Sequence, residues 1–553
     1  MTATPTQAAA STTPRASTFA ILVADKLNDE GLEYIRAQSD VELTNRPGLD
    51  EDALAEIVGE HDGLIVRSAA TVSANVLEHP GRLKIIARAG VGVDNIDLDA
   101  ATAAGILVIN TAEANTITTA EHAFGLLLAL ARHIGQAHVT MADGRWDRNR
   151  FQGTQLSGKT LGVVGLGRIG QAVAQRALAF DMNVVGFDPF INTPTTMDGK
   201  VKLFRSFVEM LPNVDMLTFH VPLTDDTRGI LSDASFAQCN PGMLAVNASR
   251  GGVIDEDALL RALDNGQCGG AALDVYATEP LPADSPLRKH PKLLVTPHLG
   301  ASTVEAQRAV SIDAAESLLK YLRGQGISGA VNAPGLRLDL DPVQAGFVDL
   351  ASRMARLISP MVTRGFASVT FEVTGEQPAA VAGTIERVAL IGLLQGHMNT
   401  PLNMINVRHA AEQRGIKLRT VIDEKDQRRG EQVIIEIAGE ATHGTPPRRI
   451  VGGVDDSMHP RVREINGYHM DMVPAGAMVI VQNDDQPGII GIVGTEFGNA
   501  GVNIADMVIS RRQRDAMMVL KVDNDPPADL LDKLRAHDSI NRAIILKLPA
   551  VHG

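Results

Sequence analysis

The stretch TLGVVGLGRIGQAVAQRAL, residues 160–178, leaves few folds open to this chain. An apolar run gives way to Gly165, Gly167 and Gly170 and then to an amphipathic helical pattern. Gly165 permits a tight turn, Gly167 lets the backbone come close to a pyrophosphate, and Gly170 lets a helix meet a strand. The free N–H groups at the helix start favour an anion, with Arg168 and Ile169 in the same loop. Such a strand, turn and helix imply a parallel α/β sheet with a dinucleotide at its strand ends. Asp188 closes the next strand, NVVGFD, where a carboxylate can take both adenosine-ribose hydroxyls and repel a 2′-phosphate. NAD is therefore expected rather than NADP.

The rest of the 553-residue chain is too long for one core and divides by pattern. From residue 18 to about 110, runs such as FAILVA, DGLIVRS, LKIIARAG and GILVIN alternate with helical stretches, as βα units do. Thr118 to about Asp143 reads as one long helix. A second alternating series runs from KTLGVVG to KLLVTPH, and a helix from Ser302 to Leu322 returns towards the first domain. Residues 336–475 mix helices with polar strands, and 476–553 give the order βαββαβ. The expected fold class is α/β: two Rossmann-like doubly wound domains, then an α+β intervening domain, then a small ferredoxin-like domain. A disordered tail is expected over 1–17, a discontinuous substrate domain over 18–116 with 303–335, and a dinucleotide domain over 117–302.

Composition removes several alternatives. A net charge of -14, one Trp and four Tyr supply neither a phosphate-binding face nor base-stacking platforms, so nucleic acid is not an expected partner. No apolar run approaches membrane-spanning length. Cys239 and Cys268 have no metal-ligand spacing, so no metal is expected, and their scarcity fits a reducing cytoplasm.

Three strand ends of the second series carry a polar residue out of an apolar run: Arg250 in VNASRGGVID, Glu279 in ALDVYATEP and His298 in VTPHLGAST. Each alone has a structural explanation, as a surface cation, a turn residue and a buried histidine. Together with the glycine loop they resemble the D-2-hydroxyacid dehydrogenases, over roughly residues 18 to 330. The resemblance implies that His298 removes the C2 hydroxyl proton, that Glu279 orients His298, and that Arg250 clamps the substrate carboxylate. It further implies that Asp274 faces the nicotinamide carboxamide, and that Val91, Val221, Pro222, Ala248, Ser249 and Gly300 line the cofactor.

Within that family, LIVRSAATV, IARAGVGVDNID, NTAEANTITTAEH and DGRWDRNRF are most similar to the branch whose substrate is 3-phosphoglycerate. Arg67 and Arg88 sit at strand ends and answer the need of a phosphorylated acid for extra cations. Ser68 and Gly90 adjoin them, and relatives bring an arginine at the Arg148 position to the substrate across a dimer contact. The tail NDDQPGIIGIVGTEFGNAGVNIADM resembles an ACT domain, the amino-acid-sensing module. That likeness implies L-serine as effector at Asn483, Asp485 and Asn503, in a homo-oligomer. Arg461, Arg463 and His469 form a further candidate anion site. Two other readings stay open: a glyoxylate or hydroxypyruvate reductase, and a non-catalytic NAD sensor.

Overall fold

The computed structural model describes residues 18–550 except 363–364, 399, 426–429, 440–446 and 528. The expected tail over 1–17 lies outside the described residues. The first sheet contains β1 (Phe19–Val23), β2 (Val41–Asn45), β3 (Gly63–Val66), β4 (Ile85–Arg88) and β5 (Leu107–Asn110). All are parallel, in the order β2-β1-β3-β4-β5. β3 is buried along its whole length, which explains why its sequence does not alternate. Helix Val304–Leu322, capped by Thr303, covers one face of this sheet. Ala314, Leu318 and Leu319 join Ile21, Ile65 and Ile85 in one core. Gly31 lets the helix approach, since a Cβ there would lie 2.7 Å from that of Ser311.

The second sheet contains β6 (Thr160–Val164), β7 (Asn183–Phe187), β8 (Thr195–Thr196), β9 (Val201–Leu203), β10 (Met216–Phe219), β11 (Met243–Asn247), β12 (Cys268–Leu273) and β13 (Leu293–Val295). Its order is β13-β12-β11-β10-β6-β7-β9-β8, with only β8 antiparallel. β6 lies between β7 and β10, so strand order reverses beside it, and that is where a crevice opens in doubly wound sheets. The stretch expected as one long helix is two, Thr116–Ala131 and Ile134–Ala142. His133 takes the left-handed conformation (φ 54°), which a continuous right-handed helix cannot contain.

The C-terminal half is built on two sheets. β14 (Ser368–Thr374), β15 (Lys417–Asp423), β16 (Gln432–Ala438), β17 (Arg448–Val454), β18 (Pro460–Ile465) and β19 (Tyr468–Met472) form one, in the order β15-β14-β16-β17-β18-β19. β20 (Gly476–Asp484), β21 (Ile504–Arg512), β22 (Asp515–Val522) and β23 (Ile540–Leu548) form an antiparallel sheet in the order β21-β22-β20-β23. Val479, Val481, Met518 and Leu520 face its own helices Ile489–Asn499 and Asp529–Arg535. Met478, Ile480, Met517, Val519 and Leu546 point the other way, into a core shared with Leu350, Met354 and Ile465. Each such burial contributes about 1.5–3 kcal/mol, so the two sheets stabilise each other. Arg353, 4% exposed, adds hydrogen bonds from its Nη1 to the carbonyls of Pro474 and Pro549.

This half is also anchored to the first domain. Ile405 is buried in that domain's core, and Asn403 Nδ2 donates to the Gly105 carbonyl at 2.8 Å. A Cβ on Gly105 would come within 2.4 Å of that amide nitrogen.

Candidate active site

At the end of β6 the three glycines meet three different demands. Gly165 has φ 86°, and a Cβ there would lie 2.6 Å from the His220 carbonyl. A Cβ on Gly170 would lie 1.9 Å from the Gly165 carbonyl, so helix Arg168–Ala179 reaches the strand only because that side chain is missing. Gly167 faces open space, and no side chain caps the helix start. The bare backbone and free N–H groups fit a dinucleotide pyrophosphate. Asp188 accepts from the Leu166 N–H at 2.9 Å and the Phe190 N–H at 3.0 Å, which ties this carboxylate to the glycine loop itself. The Arg168 guanidinium lies at Glu113, 2.5 Å away, on the connector between the sheets. Ile169 packs against the core beneath. Val221 lies where a Gly165 side chain would go, Pro222 follows it, and Ala248 and Ser249 follow the end of β11. Val91 reaches the same region from the first domain, its carbonyl taking the Asn110 amide at 2.6 Å.

His298 and Glu279 meet at the carboxyl ends of β12 and β13. Glu279 Oε2 lies 2.7 Å from His298 Nδ1, and its Oε1 accepts from the Tyr276 N–H at 3.0 Å. The imidazole is half-exposed, and its Nε2 makes no hydrogen bond among the described residues. His298 has φ 54°, a conformation a non-glycine residue holds only when its surroundings enforce it. Asp274 enforces it. Its carboxylate is fully buried and accepts from Thr296 Oγ1 at 2.6 Å, Leu299 N–H at 2.8 Å and Gly300 N–H at 2.8 Å, with His122 Nε2 3.1 Å away. Burial alone would raise its pKa, but hydrogen bonds from His122, Thr296 and the Leu299 N–H outweigh burial and hold it below the ordinary range. Both of its oxygens are occupied by the loop that carries His298.

The opposite wall brings arginines. Arg88 is pushed down to about 10, by burial first and then by Arg250 and Arg67 nearby. The Nε atoms of Arg67 and Arg88 are buried without a hydrogen-bond partner among the described residues. Gly90 must be bare, since a Cβ there would lie on the Arg88 guanidinium. Ser68 stands exposed beside Arg67. Arg250 crosses the crevice, its Nε 3.1 Å from Asp94 Oδ2. Arg148 is exposed on a single 3-10 turn and makes no ion pair among the described residues. Sequence reading missed Asp94, His122, Tyr276, Glu113 and Thr296. All five lie inside the motifs quoted above, but most of them meet a partner from another segment of the chain, and a motif read by itself does not say which group it meets.

The C-terminal candidates are less unified. Asn483 is 2% exposed, its Oδ1 without a partner among the described residues, and Asp485 pairs with Arg511 at 3.3 Å. Asn503 is not brought to them. It precedes β21 where Ile504 pairs with Val522, whereas Asn483 pairs with Ala516 at the other end. At about 3.3 Å per residue these ends lie on the order of 20 Å apart. Arg461 and Arg463 line a hollow of about 500 Å³ together with Asp455 and Asp471. Arg461 pairs with Asp471 at 2.8 Å. Two acids opposite two arginines give no excess charge for an anion. His469 stands 85% exposed, 3.9 Å from Glu464.

Comparison with known proteins agrees with this arrangement. Residues 124–300 match the D-isomer specific 2-hydroxyacid dehydrogenase NAD binding domain, 344–466 the D-3-phosphoglycerate dehydrogenase intervening domain, and 477–538 the ACT domain. D-3-phosphoglycerate dehydrogenase of Bacillus subtilis (strain 168) is 36% identical over 96% of this chain and 100% of its own length. Among solved structures, the NAD-dependent formate dehydrogenase of Staphylococcus aureus in complex with NAD is 28% identical with a TM-score of 0.51, covering 56% of this chain and 98% of its own. A glyoxylate reductase from Paecilomyes thermophila is 29% identical with a TM-score of 0.53, covering 57% and 98%. Fold and crevice thus define an NAD-dependent oxidoreductase of the D-isomer specific 2-hydroxyacid dehydrogenase class. The full-length match carries this further: the chain belongs to the D-3-phosphoglycerate dehydrogenase family.

Proposed function

We propose that this chain oxidises 3-phosphoglycerate to 3-phosphohydroxypyruvate, with His298 as general base. NAD, when bound at the glycine loop, supplies the acceptor for the C2 hydride. His298 Nε2 takes the hydroxyl proton, and Glu279 at Nδ1 fixes the tautomer and stabilises the imidazolium. Arg250 holds the carboxylate and polarises the C2 oxygen through its planar fork. Arg67 and Arg88 bind the phosphate. The observation that carries this reading is the clustering of Arg67, Arg88 and Arg250 on one crevice, a positive charge that an acid without a phosphate would leave in excess. The test compares kcat/KM for phosphorylated and unphosphorylated 2-hydroxy acids in the parent and in His298→Ala. Lack of preference for phosphate would remove the substrate assignment, and undiminished turnover in the variant would remove the base.

We further propose a homo-oligomer regulated by L-serine, acting in the cytoplasm. Ile117, Ile134, Val139, Met141 and Trp146 are exposed on and after the paired helices, an apolar surface that a second copy would cover, with Arg148 close to it. Asn483 and Asn503 lie too far apart to share one ligand within a single chain, so the effector site would combine residues of two copies. Both cysteines are buried free thiols, which suits a reducing compartment.

A further inference from the structure

The crevice holds one acidic side chain to which the chemistry above gives no task. Asp94 lies on the wall of the first domain and Arg250 on the wall of the second, 156 residues away, and the pair bridges them. The Asp94 side chain is 73% exposed, and ion pairs of that kind add little to stability. Its effect therefore lies in the charge balance of the crevice. The backbone is kept bare for the contact, since a Cβ on Gly92 would lie 2.0 Å from Arg250 Nη2 and 2.8 Å from Asp94 Oδ2. Arg250 Nη1 is held by the Ser249 carbonyl at 2.7 Å, and Asp94 takes only Nε. Asp25, the other acid near Arg88, is 4% exposed and accepts from the backbone N–H groups of Arg67 and Ala70. Asp94 is thus the exposed acid among three arginines.

We propose that Asp94 is an internal counter-ion: it pairs with Arg250 when substrate is absent and competes with the substrate's anionic groups, setting how tightly they are held. The inference rests on Arg250 as the carboxylate clamp. A carboxylate beside the site opposes every anion that enters, and it returns to Arg250 as product leaves. Product release is thereby eased at the expense of affinity.

Asp94→Asn keeps an oxygen for Nε and removes the charge; Asp94→Glu keeps the charge. Calorimetric titration of the NAD-free chain with 3-phosphoglycerate, alongside KM and kcat, reads the effect. Asp94→Asn is expected to bind about three- to tenfold more tightly, with a matching fall in KM and no gain in kcat, and Asp94→Glu to stay near the parent. Unchanged or weaker binding in Asp94→Asn, or equal tightening in Asp94→Glu, overturns the proposal. Arg250→Gln in the parent background tests the underlying reading separately: if it binds the acid as tightly as the parent, the clamp assignment fails whatever Asp94 does.

Discussion

Asp274 accepts from the Gly300 N–H at 2.8 Å, two residues beyond His298, and so fixes a backbone conformation that the histidine would not hold by itself. An amide at this position would turn a donor towards N–H groups. Asp274→Asn should therefore reduce kcat roughly ten- to hundredfold, the equivalent of about 1–3 kcal/mol for unsatisfied buried groups. Steady-state kinetics at saturating NAD check this. An unchanged kcat would show that the loop holds its shape without the carboxylate.

Arg67 offers the cleanest test of phosphate recognition because it is less confined than Arg88. Arg67→Gln should raise KM for 3-phosphoglycerate about tenfold or more, while leaving kcat/KM for an unphosphorylated 2-hydroxy acid within about twofold. Equal losses on both substrates would point to general damage of the crevice.

His220 gives a prediction in pH. Its Nδ1 is buried without a partner among the described residues, and burial lowers its pKa to about 4. An unfolded histidine titrates near 6.5, so as pH falls the unfolded chain takes up this proton before the native one does. The stability tied to the neutral ring is thus complete above pH 6.5 and is lost as pH falls from there towards 4, by up to about 3 kcal/mol. Chemical denaturation across this window should show the loss in the parent and a flatter dependence in His220→Gln. Parallel curves would contradict it.

The shared C-terminal core predicts coupled unfolding. Met478→Asp places a charge where side chains of both sheets meet, and it should destabilise 336–550 as one unit by more than about 3 kcal/mol. For the same reason a chain ending at 475 exposes Leu350, Met354 and Ile465 and should aggregate. Light scattering and calorimetry distinguish these outcomes. A soluble 1–475 chain with an intact 336–475 domain would refute the coupling.

Legibility followed range along the chain. The glycine loop, Asp188 and the strand ends bearing Arg250, Glu279 and His298 could be read because a few adjacent residues specify each of them. The partners of those residues could not. Asp94 and His122 stand in motifs as readable as the others, but only folding brings them to Arg250 and Asp274. The helix break at His133 was invisible for a related reason, since no proline marks it and the nearby glycine, Gly135, lies inside the second helix rather than at the break. One missed feature did leave a trace. AMVIV in β20 is apolar without alternation, as expected of a strand covered on both faces, and the separate-domain expectation overlooked it.

The clasp between Asn403 and Gly105 bears on how a signal from the C-terminal half could arrive at the chemistry. Gly105 leads into β5, and β5 pairs along its length with β4, where Asn110 sits opposite Arg88. With Ile405 sealed in the same core, the distal half is a lever whose short arm ends at the Arg88 guanidinium. A rotation that leaves the clasp intact is transmitted to that arm as displacement, so gearing needs no change at His298.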